Sequence, residues 1–200
     1  MTTRFPGGYR QYNIAPQGHF VKVADDSPEW LALASTGVSA WMALFHVGQA
    51  KPGDVVAISA AAGGLGHLIV QLAALKGCEV VAVCGGPVKS EFARSLGAAR
   101  VIDYRSESVP EVLAREYPNR LDVAIDTVSG EIFDAFLDNV APHGRVVVGG
   151  AASDLEGGRR SSPPRASRTS STTRGFGARL YERAAGRVLA ARARRRVHAV

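Results

Sequence analysis

Between Asp54 and Val148 the chain alternates short apolar runs with amphipathic segments, the pattern of buried strands joined by helices. Asp54–Ser59 (Asp-Val-Val-Ala-Ile-Ser) reads as a strand apolar on both faces. Gly64–Lys76 reads as a helix, with Leu65, Leu68, Ile69, Leu72 and Leu75 at spacings of three and four and Gly77 as its stop. Glu79–Cys84 follows as the second strand and Val88–Leu96 as the second helix, stopped by Gly97. Ala99–Ile102 is a short third strand, and Val109–Glu116 is a helix that ends near Pro118. Leu121–Asp126, Glu131–Asn139 and Arg145–Val148 complete the series as strand, helix and strand before Gly149-Gly150. This repetition predicts an α/β domain built on a doubly wound parallel sheet.

The flanks differ. Ser27–Val47 reads as helical with a break at Gly37, its apolar face made by Trp30, Leu31, Leu33, Ala34, Ala40, Trp41, Leu44 and Phe45. Tyr9–Val23 reads as short strands and turns too brief to form a core. From Gly157 periodicity is lost: Arg159–Arg174 is Ser, Pro, Thr and Arg, and Arg179–Arg196 is an Arg/Ala stretch that could form a helix in isolation but has no apolar stripe, which predicts a basic tail that is disordered or weakly helical.

Charge follows the same division. The total of +6 arises because residues 159–200 hold twelve arginines, no lysine and one acid (Glu182), a net +11, which leaves −5 on residues 1–158. A mildly acidic body gives no footing for nucleic-acid binding, and a solvated tail is the preferred reading of the arginines. The hydrophobic share of 46% with 21% charged residues fits a packed domain. No run approaches the ~20 apolar residues of a membrane helix, and the N-terminus lacks a secretory stretch, so a cytoplasmic protein without membrane association is expected. Cys78 and Cys84 have neither metal-ligand spacing nor a disulfide pattern.

Candidate chemistry centres on Ala60-Ala61-Ala62-Gly63-Gly64-Leu65-Gly66, between the first strand and the first helix. A pyrophosphate needs close backbone approach, free N–H groups and the positive end of a helix dipole. Gly63 and Gly64 suit the tight turn and the phosphate contact, and Gly66 lets the helix pack on the strand. In this strand–turn–helix setting the motif marks a dinucleotide-binding Rossmann domain, with a tight turn and no ligand as the competing reading. An NAD site usually places Asp or Glu at the end of the second strand, about 20 residues past the glycines. Here that place holds Val83-Cys84-Gly85-Gly86-Pro87-Val88-Lys89, so no carboxylate opposes a 2′-phosphate and Lys89 could pair with one. Lys89 could equally be a solvated first-turn lysine. The preferred cofactor is NADPH.

Three runs carry a family resemblance: Ala34-Ser35-Thr36-Gly37-Val38-Ser39-Ala40-Trp41, Gly53-Asp54-Val55-Val56 and the glycine-rich turn. Lys89-Ser90-Glu91-Phe92, Ser95-Leu96-Gly97-Ala98, Val101-Ile102-Asp103-Tyr104-Arg105 and Asp126-Thr127-Val128-Ser129-Gly130 agree with them. Together they resemble the medium-chain dehydrogenase/reductase superfamily, in its zinc-independent quinone oxidoreductase and prostaglandin reductase (enone reductase) branch. The resemblance implies that Ala62, Gly63, Gly64 and Leu65 line the pyrophosphate. It places Lys89 and Tyr104 at the adenosine 2′-phosphate, and Ser39, Val128, Gly149 and Gly150 near the nicotinamide. A tyrosine after a strand, such as Tyr104, is also common as surface packing.

The same resemblance divides the chain into a remnant of a GroES-like catalytic β domain (residues 1–26), the Rossmann domain (27–155) and the Arg-rich tail (156–200). It implies a quinone or enone substrate and a homodimer, whose final pairing strand has no recognisable counterpart after Gly150. Family members are considerably longer, and the tail looks like a GC-rich coding region read in another frame, so a truncated or frame-shifted product is expected. No general acid stands out: Tyr12 is the one weak candidate, and core packing is its commoner role. The histidines (His19, His46, His67, His143, His198) lack ligand spacing; His67 could approach the phosphates but is expected to face solvent. There is no G-x-S-x-G elbow and no G-x-x-x-x-G-K-[ST] loop, which argues against a hydrolase built on Ser59 and against an NTPase. A non-catalytic NADPH-binding module is the alternative to a reductase.

Overall fold

The structure, a computed structural model, describes residues 11–150 apart from Ala15 and Val21. The Arg-rich tail, the predicted disorder in it and the first ten residues lie outside the described residues.

Five strands alternate with helices: β1 (Val55–Ile58), β2 (Glu79–Cys84), β3 (Arg100–Asp103), β4 (Leu121–Asp126) and β5 (Val140–Val148). A long helix α1 (Glu29–Val47) precedes them. The connecting helices are α2 (Gly66–Leu75), α3 (Pro87–Ser95), α4 (Val109–Glu116) and α5 (Glu131–Asn139). All strand pairs are parallel, and the order across the sheet is β3-β2-β1-β4-β5. The chain winds outward from β1 to β3, then returns to β4 on the other side of β1. That reversal opens a crevice at the carboxyl ends of β1 and β4, the place where open α/β sheets bind ligands.

Strand periodicity sorts the core onto two faces. Val55, Ala57, Val81, Val83, Ile102 and Ala124 point to the layer of α4 and α5, where Val112, Leu113, Phe133 and Phe136 are buried. Val56, Ile58, Val80, Ala82, Val123 and Ile125 point to the other layer, built from α1, α2 and α3 through Ala40, Leu44, Ile69, Val70, Ala73 and Ala93. Full burial of each branched side chain is worth about 1.5–3 kcal/mol relative to exposure. Strands apolar on both faces therefore commit the sheet to being covered twice, as the sequence pattern predicts.

Several expectations are corrected. The α1 helix does not break at Gly37, whose φ of −63° and ψ of −42° are helical. A lone glycine costs a helix about 1 kcal/mol, and burial of Ala40 and Leu44 on the sheet offsets that. Gly48 ends the helix against the sheet, where a Cβ would fall 2.9 Å from Val123 Cγ1. Of the expected apolar face, Leu31, Leu33 and Trp41 are exposed, because only the stretch around Ala40 and Leu44 meets the core. With the break removed, α1 is long and apolar enough by length and composition to cross a membrane.

In the described part of Tyr9–Val23 the regular element is a 3₁₀ turn at Gln17–His19, not a strand. The last strand begins at Val140, which pairs with Leu121 before the ladder resumes at Arg145 opposite Val123. Between them the strand carries an irregularity at 142–144, where His143 has φ 67°.

Candidate functional site

The turn after β1 is the first wall of the crevice. Ala60 takes a φ of 47°, a left-handed conformation that costs an L-residue about 1–2 kcal/mol. Its amide neighbour Ala61 donates to Val83 O (3.0 Å), and Gly63 N donates back to Ala60 O (2.8 Å), which curls the chain tightly into α2. Gly66 fits only as glycine, since a Cβ would lie 2.3 Å from Ala60 O and 2.8 Å from Ala61 Cα. A Cβ at Gly64 would meet nothing within 4 Å, so this position borders open space. Among the described residues the amides of Gly64, Leu65 and Gly66 have no backbone acceptor. Helix α2 has no side-chain cap either. Unclaimed N–H groups at the positive end of a ten-residue helix, beside a side-chain-free surface, are what a pyrophosphate requires.

The exits of β4 and β5 form the second wall. Asp126 is fully buried, and its carboxylate accepts from Val128 N (3.2 Å) and Ser129 N (2.8 Å), shaping the turn that leaves β4. Ser59, also fully buried, accepts from Thr127 N through its hydroxyl oxygen (2.8 Å). Gly149 N donates to Asp126 O (2.7 Å). A Cβ on Gly149 would sit 3.2 Å from Thr127 Cγ2 and 3.7 Å from Leu65 Cδ2, so this exit abuts the glycine-rich turn. Leu65, Val128, Gly149 and Gly150 therefore share one edge of the sheet.

The exits of β2 and β3 form the third wall. Gly86 has φ 90°, a conformation open to glycine, and leads into α3 with Pro87 as its first residue. The Tyr104 ring covers Gly85, where a Cβ would fall 2.4 Å from Tyr104 Cζ. Arg105 reaches over Gly86, with Nη1 3.4 Å from the position a Cβ would take. Asp103 Oδ1 accepts from Gly86 N (2.8 Å) and Arg105 N (3.0 Å). Those two amides, Gly86 first, hold the Asp103 carboxyl below the usual carboxylate range. Lys89 lies exposed in the first turn of α3.

Not every expected residue joins these walls. Ser39 is exposed on α1 and donates from its hydroxyl to Ser35 O (3.1 Å) within its own helix. Tyr12 is 89% exposed, which is neither core packing nor a buried acid. His67 is half-buried: its Nδ1 lies 2.9 Å from Gly63 O, and its ring leans on Phe92 with centroids 6.2 Å apart. Arg105 and Asp103 belong to the third wall, although the sequence names them only within the run 101–105 and gives them no role. Burial raises the Cys84 thiol pKa, and Cys78 is raised for the same reason.

A parallel sheet of order 3-2-1-4-5 with an uncapped glycine-rich turn at its switch point defines a dinucleotide-binding Rossmann domain. Comparison with known proteins carries this further. The family model described as "Zinc-binding dehydrogenase" matches residues 64–188, and the chain belongs to that family, within the medium-chain dehydrogenase/reductase superfamily. The match runs past Gly150, where the motif-by-motif resemblance stops. Prostaglandin reductase-3 of Mus musculus is 35% identical over 161 residues, covering 80% of this chain and 43% of the relative. A probable quinone oxidoreductase of Leishmania amazonensis is 36% identical over 153 residues, covering 76% and 45%. Among solved structures, CurA in complex with NADPH from Vibrio vulnificus superimposes with a TM-score of 0.66 at 26% identity, over 88% of this chain and 48% of that one. The chain thus spans under half the length of the curated relatives it matches.

The family name implies zinc, but among the described residues no three His, Cys, Asp or Glu side chains gather as a metal site. The two cysteines are separately engaged, Cys78 Sγ with Lys51 O (3.3 Å) and buried Cys84 beside Ser90.

Proposed function

We propose that this chain is the nucleotide-binding part of an NADPH-dependent oxidoreductase that transfers hydride to a quinone or to the β-carbon of an α,β-unsaturated carbonyl compound. The observation that carries the reading is the open, uncapped turn at Gly64–Gly66 facing the crevice. The names of relatives, among them a prostaglandin reductase and a quinone oxidoreductase, support the substrate class.

In this reading the amides of Gly64, Leu65 and Gly66 hold the pyrophosphate, aided by the α2 dipole. Ala62 and Gly63 line the same turn. Lys89 and Tyr104 hold the adenosine 2′-phosphate end. Val128, Gly149 and Gly150 present backbone to the nicotinamide. When bound, NADPH supplies the hydride; the protein orients it and keeps water from the reacting carbon. Asp126 and Ser59 hold the Val128 turn in place from below, in the buried layer where their hydrogen bonds are strongest.

Residues 27–155 form the nucleotide domain in this account, residues 1–26 belong to a GroES-like catalytic domain, and residues 156–200 follow as an Arg-rich tail. A cytoplasmic location and a homodimer are part of the same proposal. Mixing the full chain with NADPH and a 1,4-quinone or an enone tests it. Oxidation of NADPH that depends on the acceptor supports a reductase. Tight binding without turnover supports the alternative, a non-catalytic NADPH-binding module, and absence of binding overturns both.

A further inference from the structure

We infer that Arg105 is a cofactor-specificity residue, a second cation for the adenosine 2′-phosphate beside Lys89. The inference rests on the NADPH reading above and adds to it a residue from a different strand exit. The geometry is local and specific. Two consecutive glycines at the end of β2 leave a stretch of backbone without side chains, and two consecutive side chains from the end of β3 lie over it. Tyr104 covers Gly85, and the Arg105 guanidinium extends over Gly86. In sites that select the unphosphorylated cofactor, a carboxylate at the end of the second strand takes the ribose hydroxyls. Here that place is glycine, and a guanidinium occupies the adjoining space.

Chemistry favours the arginine. Its planar fork can meet a phosphate with two parallel N–H···O bonds, whereas a lysine offers a point charge on a flexible stem. Among the described residues Arg105 has no carboxylate within salt-bridge distance, although Arg94, Arg100, Arg115 and Arg120 all have one. Its nearest acid, Asp103, is turned to the backbone: one oxygen accepts from both Gly86 N and Arg105 N. Asp103 is therefore a positioning residue, joining the glycine pair to the turn that carries Tyr104 and Arg105.

The test is titration of the full chain and of Arg105→Ala and Arg105→Lys with NADPH and with NADH. Arg105 is exposed, so both variants fold, and unchanged NADH binding verifies it. The inference predicts that Arg105→Ala weakens NADPH about tenfold or more while leaving NADH within twofold, and that Arg105→Lys restores part of the loss. Wild-type preference for NADPH that persists undiminished in Arg105→Ala overturns the role of Arg105 and leaves the NADPH reading standing. A wild-type chain that binds NADH as tightly as NADPH overturns both. Equal loss of NADPH and NADH in Arg105→Ala also overturns it, since the side chain would then serve the fold or the shared part of the cofactor.

Discussion

The ring of Tyr104 lies so close to Gly85 that a Cβ on the glycine would fall 2.4 Å from Cζ and 2.6 Å from the hydroxyl oxygen. The ring can lie over the exit of β2 because position 85 has no side chain. Tyr104 is 51% exposed and is free to swing outward if pushed. Gly85→Ala is therefore expected to change unfolding free energy by less than about 1 kcal/mol, as substitutions at yielding surface contacts do. It should nonetheless weaken NADPH severalfold, with NADH less affected. Urea denaturation and cofactor titration read the two effects separately.

Gly64 and Gly66 should respond in opposite ways. At Gly66 the neighbours of an added methyl are backbone atoms of Ala60 and Ala61, which cannot move aside cheaply. Gly66→Ala is expected to cost about 2–3 kcal/mol, the range of overpacked sites. Gly64→Ala meets nothing in the protein. It should leave stability within about 0.5 kcal/mol, as at unconstrained positions, and still reduce cofactor affinity by filling the space the phosphates need.

Asp126 is expected to matter for stability first and for binding second. Its carboxylate is the acceptor for Val128 N and Ser129 N at a fully buried position. Asp126→Ala removes a charged acceptor from both amides, a loss of about 1.5–3 kcal/mol for a hydrogen bond to a charged group. The Val128 turn loosens with it. Thermal or urea unfolding should show the loss without added cofactor.

The acid limb of the stability curve has an identifiable source. Arg100 donates to both Glu107 and Glu116, and with Arg115 it lowers the Glu116 pKa from 4.5 to about 2; the Glu107 pKa is lowered in the same direction, chiefly by Arg100. Because the folded pKa lies below the unfolded one, the stabilisation is fully present above about pH 4.5 and is lost as pH falls toward about 2. Arg100→Met should lower stability at neutral pH and flatten the pH dependence in that window. Unfolding free energies measured from pH 7 downward check this.

Much of the fold was legible because strands apolar on both faces and helices ended by Gly77 and Gly97 leave few alternatives. β2, α4, β4 and α5 begin and end where the periodicity places them. The errors have a common cause, which is that local signals lost to packing. Gly37 should break a helix in isolation, but Ala40 and Leu44 are seated on the sheet and carry the helix through. The apolar pattern starts the last strand at Arg145, yet Val140 already pairs with Leu121.

The tight turn after β1 was readable because Gly66, packed on Ala60 and Ala61, has to be glycine in sequence as well as in space. The place of Arg105 over Gly86 was not, since it depends on which strand exit lies beside it, and the order β3-β2-β1 supplies that neighbour.

The account stands or falls on the cofactor. Its most direct measurement is parallel titration of the 200-residue chain with NADPH and NADH under the same salt and pH. The account predicts saturable NADPH binding at least tenfold tighter than NADH, the equivalent of about 1.4 kcal/mol. Equal affinity for the two, or no binding of either, would contradict it.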